Sequence, residues 1–478
     1  MRRRLLLLLS IIMLFSSLLV GCNRSSMSVL SPKSPTNIVI WTYYNGEQRK
    51  AFEEMVTNFN NTIGHDHGVF VESVSKADVN TLNTQVLSSA RGEPNAAPLP
   101  NIFFSYVDIA YDLYKLDLLK PFNDYLSPQT MDSFVPNFLA EGRIAGNDNA
   151  YILPVAKSSE VIAINKTLFE EFANAVNANG KYGDVSMDSF KSWEGIVHAS
   201  ETYRKWIDDT NDQQSAEMKA MFGVDSVANL IYSVHRQLDA PLFNVKDGNA
   251  VINFTTVGMN RLWDTYSVPM INGSFAAFGR YRSDDFRTGG ILAFLGSSTS
   301  ASYISEEIVD QNGHTFPIEL GIMPMPVFAN GRPVAIQQGA GMALVKSNEK
   351  QEAACALFAE WFTRPEQNIR FARSSAYIPV TTQAIDELIA KLKDESSDNI
   401  VDRMLLVSLE QVSSGYEMYT PPVFTGSYQV RLSLNDHLNE NIERARSSSK
   451  PIDNDELLKR YIEQCVSSLN AAGIETIS

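Results

Sequence analysis

The chain has 478 residues, of which 44% are hydrophobic and 20% charged, with 55 acidic against 40 basic side chains and a formal net charge of −15. That length predicts two or three domain-sized units, each large enough for its own core. The acidic excess argues against nucleic acid as a partner, since phosphate contacts need Lys and Arg patches, and against polybasic adhesion to a membrane surface.

Arg2, Arg3 and Arg4 open the chain, an apolar run extends from Leu5 to Val20, and Gly21 and Cys22 follow. A charged start, an apolar middle and small residues before a cut point describe an export signal. The Leu19-Val20-Gly21-Cys22 stretch resembles the lipobox of bacterial lipoproteins, which implies removal of residues 1–21 and diacylation of Cys22. A signal anchor or a membrane-spanning helix with a chance Cys is the alternative, because the run is about as long as the shortest spans. Residues 22–36 are rich in Ser and Pro and read as a flexible tether. No later run is apolar enough to cross a bilayer. Cys355 and Cys465 are too few and too isolated for a disulfide framework or a Cys-based metal site, and both are expected as small buried hydrophobes.

Folded structure is expected from Asn37-Ile38-Val39-Ile40-Trp41, a β-branched run that reads as a buried strand. An amphipathic helix follows, with Phe52, Met55, Val56, Phe59 and Ile63 on one face and Gly64 as its stop, then a strand from Gly68 to Val74. Strand, helix and strand in this short space form a βαβ unit, hence a parallel sheet with a right-handed crossover. A helix over 78–90, a Pro/Ala-rich loop over 92–100, a strand over 101–106 and a helix over 109–116 repeat the pattern. Residues 150–155 and 161–166 are extended. Residues 186–220 are helical, with Trp193, Ile196, Val197, Tyr203 and Trp206 as core faces, and 254–266 are helical again. Strands are expected at 289–296, 319–326 and 339–345. Helices over 349–362, 365–371 and 455–472, the last capped by Asp453 or Asn454 and stopped by Gly473, give a helical C-terminal third. The class is α/β, without internal repeats.

In parallel α/β sheets ligands gather at the carboxyl ends of strands. That rule selects Tyr43 and Tyr44 after the first strand, Tyr106 and Asp108 after the third, and Ser297-Ser298-Thr299-Ser300 after the Gly-bounded strand at 289–296. Tyrosines offer flat faces to sugar rings and hydroxyls to their edges, while core packing is the alternative for Tyr43 and Tyr44 and the expectation for Trp41. Asp108 either binds ligand hydroxyls or caps the helix at Ile109. Ser298 and Ser300 suit a sugar edge or an anion, or else form a solvated turn. Gly339 and Gly341 let backbone amides approach a ligand or a neighbouring strand.

Enzyme signatures are weak. His65-Asp66-His67 lacks a third metal ligand at motif spacing. Ser73-Val74-Ser75-Lys76 and Ser397-Asp398-Asn399 echo penicillin-recognising serine enzymes, but the first follows a strand and no Lys-Thr-Gly is present. Asp108 and Glu160 are a conceivable glycosidase pair that sequence does not bring together. No nucleophile elbow, Walker loop or dinucleotide fingerprint occurs, and neither cofactor nor metal is expected.

Taken in order, several stretches resemble one family. Ile38-Val39-Ile40-Trp41-Thr42-Tyr43-Tyr44, Ala150-Tyr151-Ile152-Leu153-Pro154 with Ile164-Asn165-Lys166-Thr167-Leu168-Phe169, Gly321-Ile322-Met323-Pro324-Met325-Pro326, Gln338-Gly339-Ala340-Gly341-Met342-Ala343-Leu344, Phe358 with Trp361, Pro365-Glu366 and Tyr377-Ile378-Pro379-Val380 are similar to extracellular solute-binding proteins of the maltose-binding type. The resemblance implies a two-lobed periplasmic-binding-protein-like fold, with lobe 1 at 37–152 and 316–372 and lobe 2 at 153–315 and 373–478. It implies capture of a carbohydrate and delivery to the membrane permease of an ABC importer, by a monomer anchored outside the cytoplasm. The glycerol-3-phosphate-binding branch points to Ser158, Ser298, Ser300, Gly339 and Tyr377 as ligand contacts. Its Arg-Gly-rich phosphate segment is shortened here to Pro422–Arg431, so a neutral mono- or oligosaccharide is the expected class and a polyol phosphate the alternative. A glycan hydrolase and a sensor subunit for a membrane kinase are the readings from other classes.

Overall fold

The computed structural model describes residues 26–144, 146–210, 219–246, 248–309 and 313–478. The leader at 1–21 and Cys22 lie outside the described residues. Residues 26–36, expected as free tether, pack against the body: Leu30 lies on the first core, Ser31 and Pro32 cover Gly68, and Lys350 Nζ reaches Ser34 Oγ at 2.8 Å.

In chain order the first strands are β1 (Thr36–Thr42), β2 (Val69–Ser75), β3 (Ile102–Ser105), β4 (Ile152–Leu153), β5 (Glu160–Asn165) and β6 (Ala220–Val224). After them come β7 (Phe243–Lys246), β8 (Asn249–Asn253), β9 (Ile291–Ser297), β10 (Glu307–Val309), β11 (Thr315–Pro317) and β12 (Leu320–Pro324). The last four are β13 (Val334–Ile336), β14 (Gly341–Leu344), β15 (Glu417–Tyr419) and β16 (Glu475–Ile477). One sheet has the order β2-β1-β3-β14-β4, with β1 parallel to both β2 and β3 and antiparallel pairing beyond. A second has the order β12-β5-β9-β6, parallel only between β9 and β6. The expected βαβ unit is β1, the helix Gly46–Asn61 and β2. Helices cover both sheets and the fold is α/β.

Several boundaries differ from expectation for identifiable reasons. The first helix ends at Asn61, Gly64 falls inside a short helix Ile63–His67, and Gly68 supplies the left-handed cap at φ 68°. The helical stretch at 186–220 ends before Ala220, which opens the fully buried strand β6; an apolar run of that length has no period that separates strand from helix. The helix expected from Phe254 starts at Val257 and passes through a π-turn at Trp263–Ser267. The last helix, Asn454–Ala471, buries Leu457, Tyr461, Cys465 and Leu469, and Asp453 is its cap.

Side chains gather into two principal cores. The first draws on residues between Ile38 and Ala156 and between Ala340 and Leu409; the second draws on residues between Ile162 and Ile336 and between Met418 and Ile474. A smaller third cluster lies on the second sheet and takes in Ala376 and Met404. The segments that pass between the sheets are tied to one another. Ser158 and Gln338 exchange backbone hydrogen bonds at 3.0 and 2.9 Å, and Lys157 N–H donates to Ile378 O at 2.9 Å. β12, expected with the first half, pairs with β5 in the second sheet, whereas Ile385, Leu388 and Leu392 of the helix after Tyr377 pack in the first core.

Candidate functional site

The crossing segments carry a buried polar knot. Lys157 is buried, and its Nζ donates to Glu141 Oε2 at 2.6 Å and to Gly339 O at 2.8 Å. The Gln337 amide also donates to Glu141, leaving Gln337 Oε1 without a partner. Gly339 has φ +91°, and a Cβ there would stand 2.4 Å from Ala156 O, so close strand crossing explains this glycine.

Two cavities open between the two sheets above this knot. The first, of about 310 Å³, is lined by Asp108, Tyr232, Gln337, Phe424, Tyr428 and Arg431 among others. The second, of about 350 Å³, is lined by Tyr43, Ser158, Tyr281, Ser300, Tyr303 and Tyr377 among others. Tyr106 and Gln338 line both, so the two are chambers of one cleft with a shared partition.

Five of the nine ligand residues expected from the sequence line the second chamber: Tyr43, Tyr106, Ser158, Ser300 and Tyr377. Tyr43 Oη lies 3.2 Å from Tyr377 Oη and accepts the Ala340 N–H at 3.4 Å, and its ring lies near-parallel to Tyr106 at 6.4 Å. Burial, then the neighbouring Tyr377 and Tyr106, holds the Tyr43 hydroxyl far above the ordinary tyrosine range, so it is a neutral hydrogen-bonding group. Ser300 Oγ is buried with no partner.

Asp108 lines the first chamber. It sits in the first turn of the helix Val107–Lys115, whose cap position belongs to Tyr106, and its Oδ1 accepts the adjacent Ile109 N–H at 2.9 Å. Burial raises its pKa, against the lowering effect of the Ile109 N–H and the Arg431 guanidinium.

Three expected residues line neither chamber. Tyr44 is 1% exposed, wedged among Phe52, Phe104 and Phe371 with its hydroxyl unpartnered. Ser298 is buried and donates to Ala376 O at 3.2 Å, its own N–H to Ser159 O at 2.8 Å. Gly339 serves the crossing described above.

Sequence reasoning did not single out Gln337, Gln338, Tyr232, Tyr281, Tyr303 or Tyr428 as contacts, and Arg431 entered it only as the end of the shortened segment Pro422–Arg431. Two of these close the cleft: Tyr303 Oη donates to Asn45 Oδ1 at 3.0 Å, and Tyr428 Oη to Asn80 Oδ1 at 3.4 Å. Each joins a residue on the side of the first sheet to one on the side of the second.

Beside the first chamber lies Glu160, 1% exposed. One oxygen accepts from Asn229 Nδ2 at 3.2 Å and the other has no partner, and burial pushes its pKa up to about 7 although Arg431 opposes. The Arg431 charge acts on both Asp108 and Glu160, the pair considered for glycosidase chemistry. Among the described residues no cluster of His, Cys, Asp and Glu could hold a metal ion, and no helix is long and apolar enough to cross a membrane.

Residues 50–398 match the family model of bacterial extracellular solute-binding proteins. No curated protein matches the chain in sequence. Among solved structures, the cyclic α-maltosyl-1,6-maltose binding protein of Arthrobacter globiformis aligns with a TM-score of 0.65 at 18% identity, covering 92% of this chain and 100% of that one. UgpB of Mycobacterium tuberculosis, solved with glycerophosphocholine, gives 0.66 at 16% identity, again with 92% and 100% covered. The maltotriose binding protein of Thermus thermophilus gives 0.58 at 14% identity over 90% and 100%. These structures are binding proteins, and at such identities their likeness speaks for the fold.

Proposed function

The chain belongs to the bacterial extracellular solute-binding protein family, and we propose that it captures a carbohydrate in the two-chambered cleft and hands it unchanged to the permease of an ABC importer. The observation that carries this reading is the partition at Tyr106 and Gln338. It divides the cleft into two spaces of similar size, each walled by tyrosine rings and edged with amides, hydroxyls and carboxylates. Flat aromatic faces against the ring and a few placed polar groups at its rim are what sugar recognition needs. Two such spaces in series favour an oligosaccharide over a single ring. Relatives of the same fold were solved with maltotriose and with glycerophosphocholine, one a sugar and the other a phosphodiester.

The proposed lobes are 36–156 with 338–409 and 159–336 with 414–478, following the two principal cores. Ligand contacts on both lobes favour the closed arrangement, and the tied crossing segments act as the hinge. The proposed contacts are Tyr43, Tyr106, Asp108, Ser158, Ser300 and Tyr377, joined by Gln337, Gln338 and Arg431. Tyr44, Ser298 and Gly339 shape the walls behind them. Acylation at Cys22 anchors the protein outside the cytoplasm, and it acts as a monomer without catalysis.

Thermal unfolding across mono- and oligosaccharides, polyols and glycerol phosphates tests the reading, since a ligand that binds only the folded state stabilises it by RT ln(1 + [L]/Kd). A saccharide of two or more rings should raise the melting temperature and be recovered intact. Release of reducing ends would replace this reading with a hydrolase. Stabilisation by single-ring sugars alone would overturn the two-ring site.

A further inference from the structure

The first chamber carries buried hydrogen-bond acceptors that nothing among the described residues fills. Gln337 is 4% exposed and lines the cavity. Its Nε2 donates to Glu141, and because a carboxylate only accepts, that bond fixes which end of the amide is which. The Oε1 left over is a buried acceptor without a donor, and so is Gln338 Oε1 on the partition. The Asp108 carboxylate accepts the N–H of the adjacent Ile109 and of its own residue and, among the described residues, no side-chain donor.

Three donors near these acceptors are already engaged elsewhere. The Asn229 amide serves Glu160, the Tyr428 hydroxyl serves Asn80, and Arg431 Nη2 gives a hydrogen to Ser226 Oγ at 3.3 Å. Arg431 also has carboxyl groups beside it. Its field falls on Asp108 and Glu160, while Glu141 already has Lys157 as partner.

An occupant that satisfies the two glutamine oxygens must bring donors. A sugar ring does so with every hydroxyl. A phosphate monoester near neutral pH carries roughly −1.5 to −2 charge and terminal oxygens that mainly accept. It would leave the glutamine oxygens unpaired and set its charge beside the Asp108 carboxylate, and an unpaired buried acceptor is costly.

We infer that the face formed by Asp108, Gln337 and Gln338 makes the first chamber selective for an unphosphorylated, hydroxyl-bearing sugar ring over its phosphate ester, an assignment that rests on the saccharide reading above. Asp108 and the glutamine oxygens accept from ring hydroxyls. Arg431 donates to a ring oxygen, with the Asp108 carboxylate opposing its charge.

The test uses the whole protein in a thermal unfolding assay at low ionic strength. The probes are maltose, trehalose and cellobiose, each against its 6-phosphate, with glycerol 3-phosphate and inorganic phosphate as anions that need no sugar site. Glycerol 3-phosphate and inorganic phosphate should leave the melting temperature unmoved, and any disaccharide that raises it should lose that effect when phosphorylated. Asp108→Asn, checked for an unchanged ligand-free melting temperature, should weaken the neutral sugar about tenfold, the cost of one hydrogen bond to a charged group. Stabilisation by glycerol 3-phosphate, or by a sugar phosphate as strongly as by its parent, would overturn the inference. Should none of the neutral disaccharides bind, the saccharide reading suffers, and the two phosphate probes still decide whether the chamber takes phosphate.

Discussion

The two chambers share a partition yet differ in how they are assembled. The second takes Tyr43, Tyr106, Ser158, Ser300 and Tyr377 from strand ends and crossing segments. The first takes Gln337 from the segment after β13, Thr420, Pro421 and Pro422 from an irregular stretch, and Tyr428 and Arg431 from the helix Ser427–Arg446. A site built at strand ends follows a general rule of α/β architecture. One built from a late loop and a helix face depends on how distant segments happen to dock, and it is the part free to vary in charge and donor character. The shared fold thus supplies one chamber, while the other carries the discrimination.

The comparison breaks most visibly behind the second chamber. Tyr44→Ala should cost about 3–5 kcal/mol of stability, as for a buried aromatic replaced by alanine. Tyr44→Phe should be close to neutral or stabilising, because the lost hydroxyl has no partner. Chemical denaturation measures both; a Tyr44→Ala variant that keeps its stability and loses only sugar binding would make Tyr44 a contact after all.

Beside the first chamber the sharper probe is pH. The folded Glu160 carboxyl keeps its proton up to about pH 7, whereas an unfolded glutamate releases it near 4.5. The folded state therefore binds more protons between these values, and stability falls as pH rises through that window. The fall attributable to Glu160 is of order 3 kcal/mol. Glu160→Gln should remove this part of the pH dependence and leave the variant more stable than the parent at pH 8, as urea titrations at several pH values would show. An unchanged profile would mean that the carboxylate finds a partner when it ionises.

The smallest effect compares the two mouths. Tyr303→Phe and Tyr428→Phe each delete one exposed hydrogen bond across the cleft, worth about 0.5–1 kcal/mol. Stopped-flow release of a bound sugar should quicken a few-fold in each, and more for Tyr303, whose bond to Asn45 is shorter. Equal rates in parent and variants would show that these bonds do not hold the cleft shut.

The alternation of strand and helix from Asn37 to Tyr106 was legible because β-branched runs and helical faces recur at short range there. β6 was not, since a fully buried strand of Ala220–Val224 carries no alternation. In the cleft, Tyr43 and Tyr106 could be found from their place after strands. Tyr44, one residue on, points into the core instead, and neighbouring aromatics on a strand end cannot be told apart without the opposing side chains. Gln337 and Tyr428 carried no local signal: their roles come from Glu141 and Asn80, nearly 200 and 350 residues away in sequence. The extent of each lobe was blurred for a related reason, because whether β12 sides with β3 or β5 is decided by pairing between remote strands.

The packing of residues 26–36 against the body limits how an anchored chain would stand on a membrane. With acylation at Cys22 as proposed, the mooring is only the chain from 22 to 26, which spans at most about 14 Å when fully drawn out. A leash that short does not let the cleft swing far from the lipid surface. Under that proposal the Gly68 edge, where Ser31 and Pro32 lie, would be the part of the body held nearest the lipid.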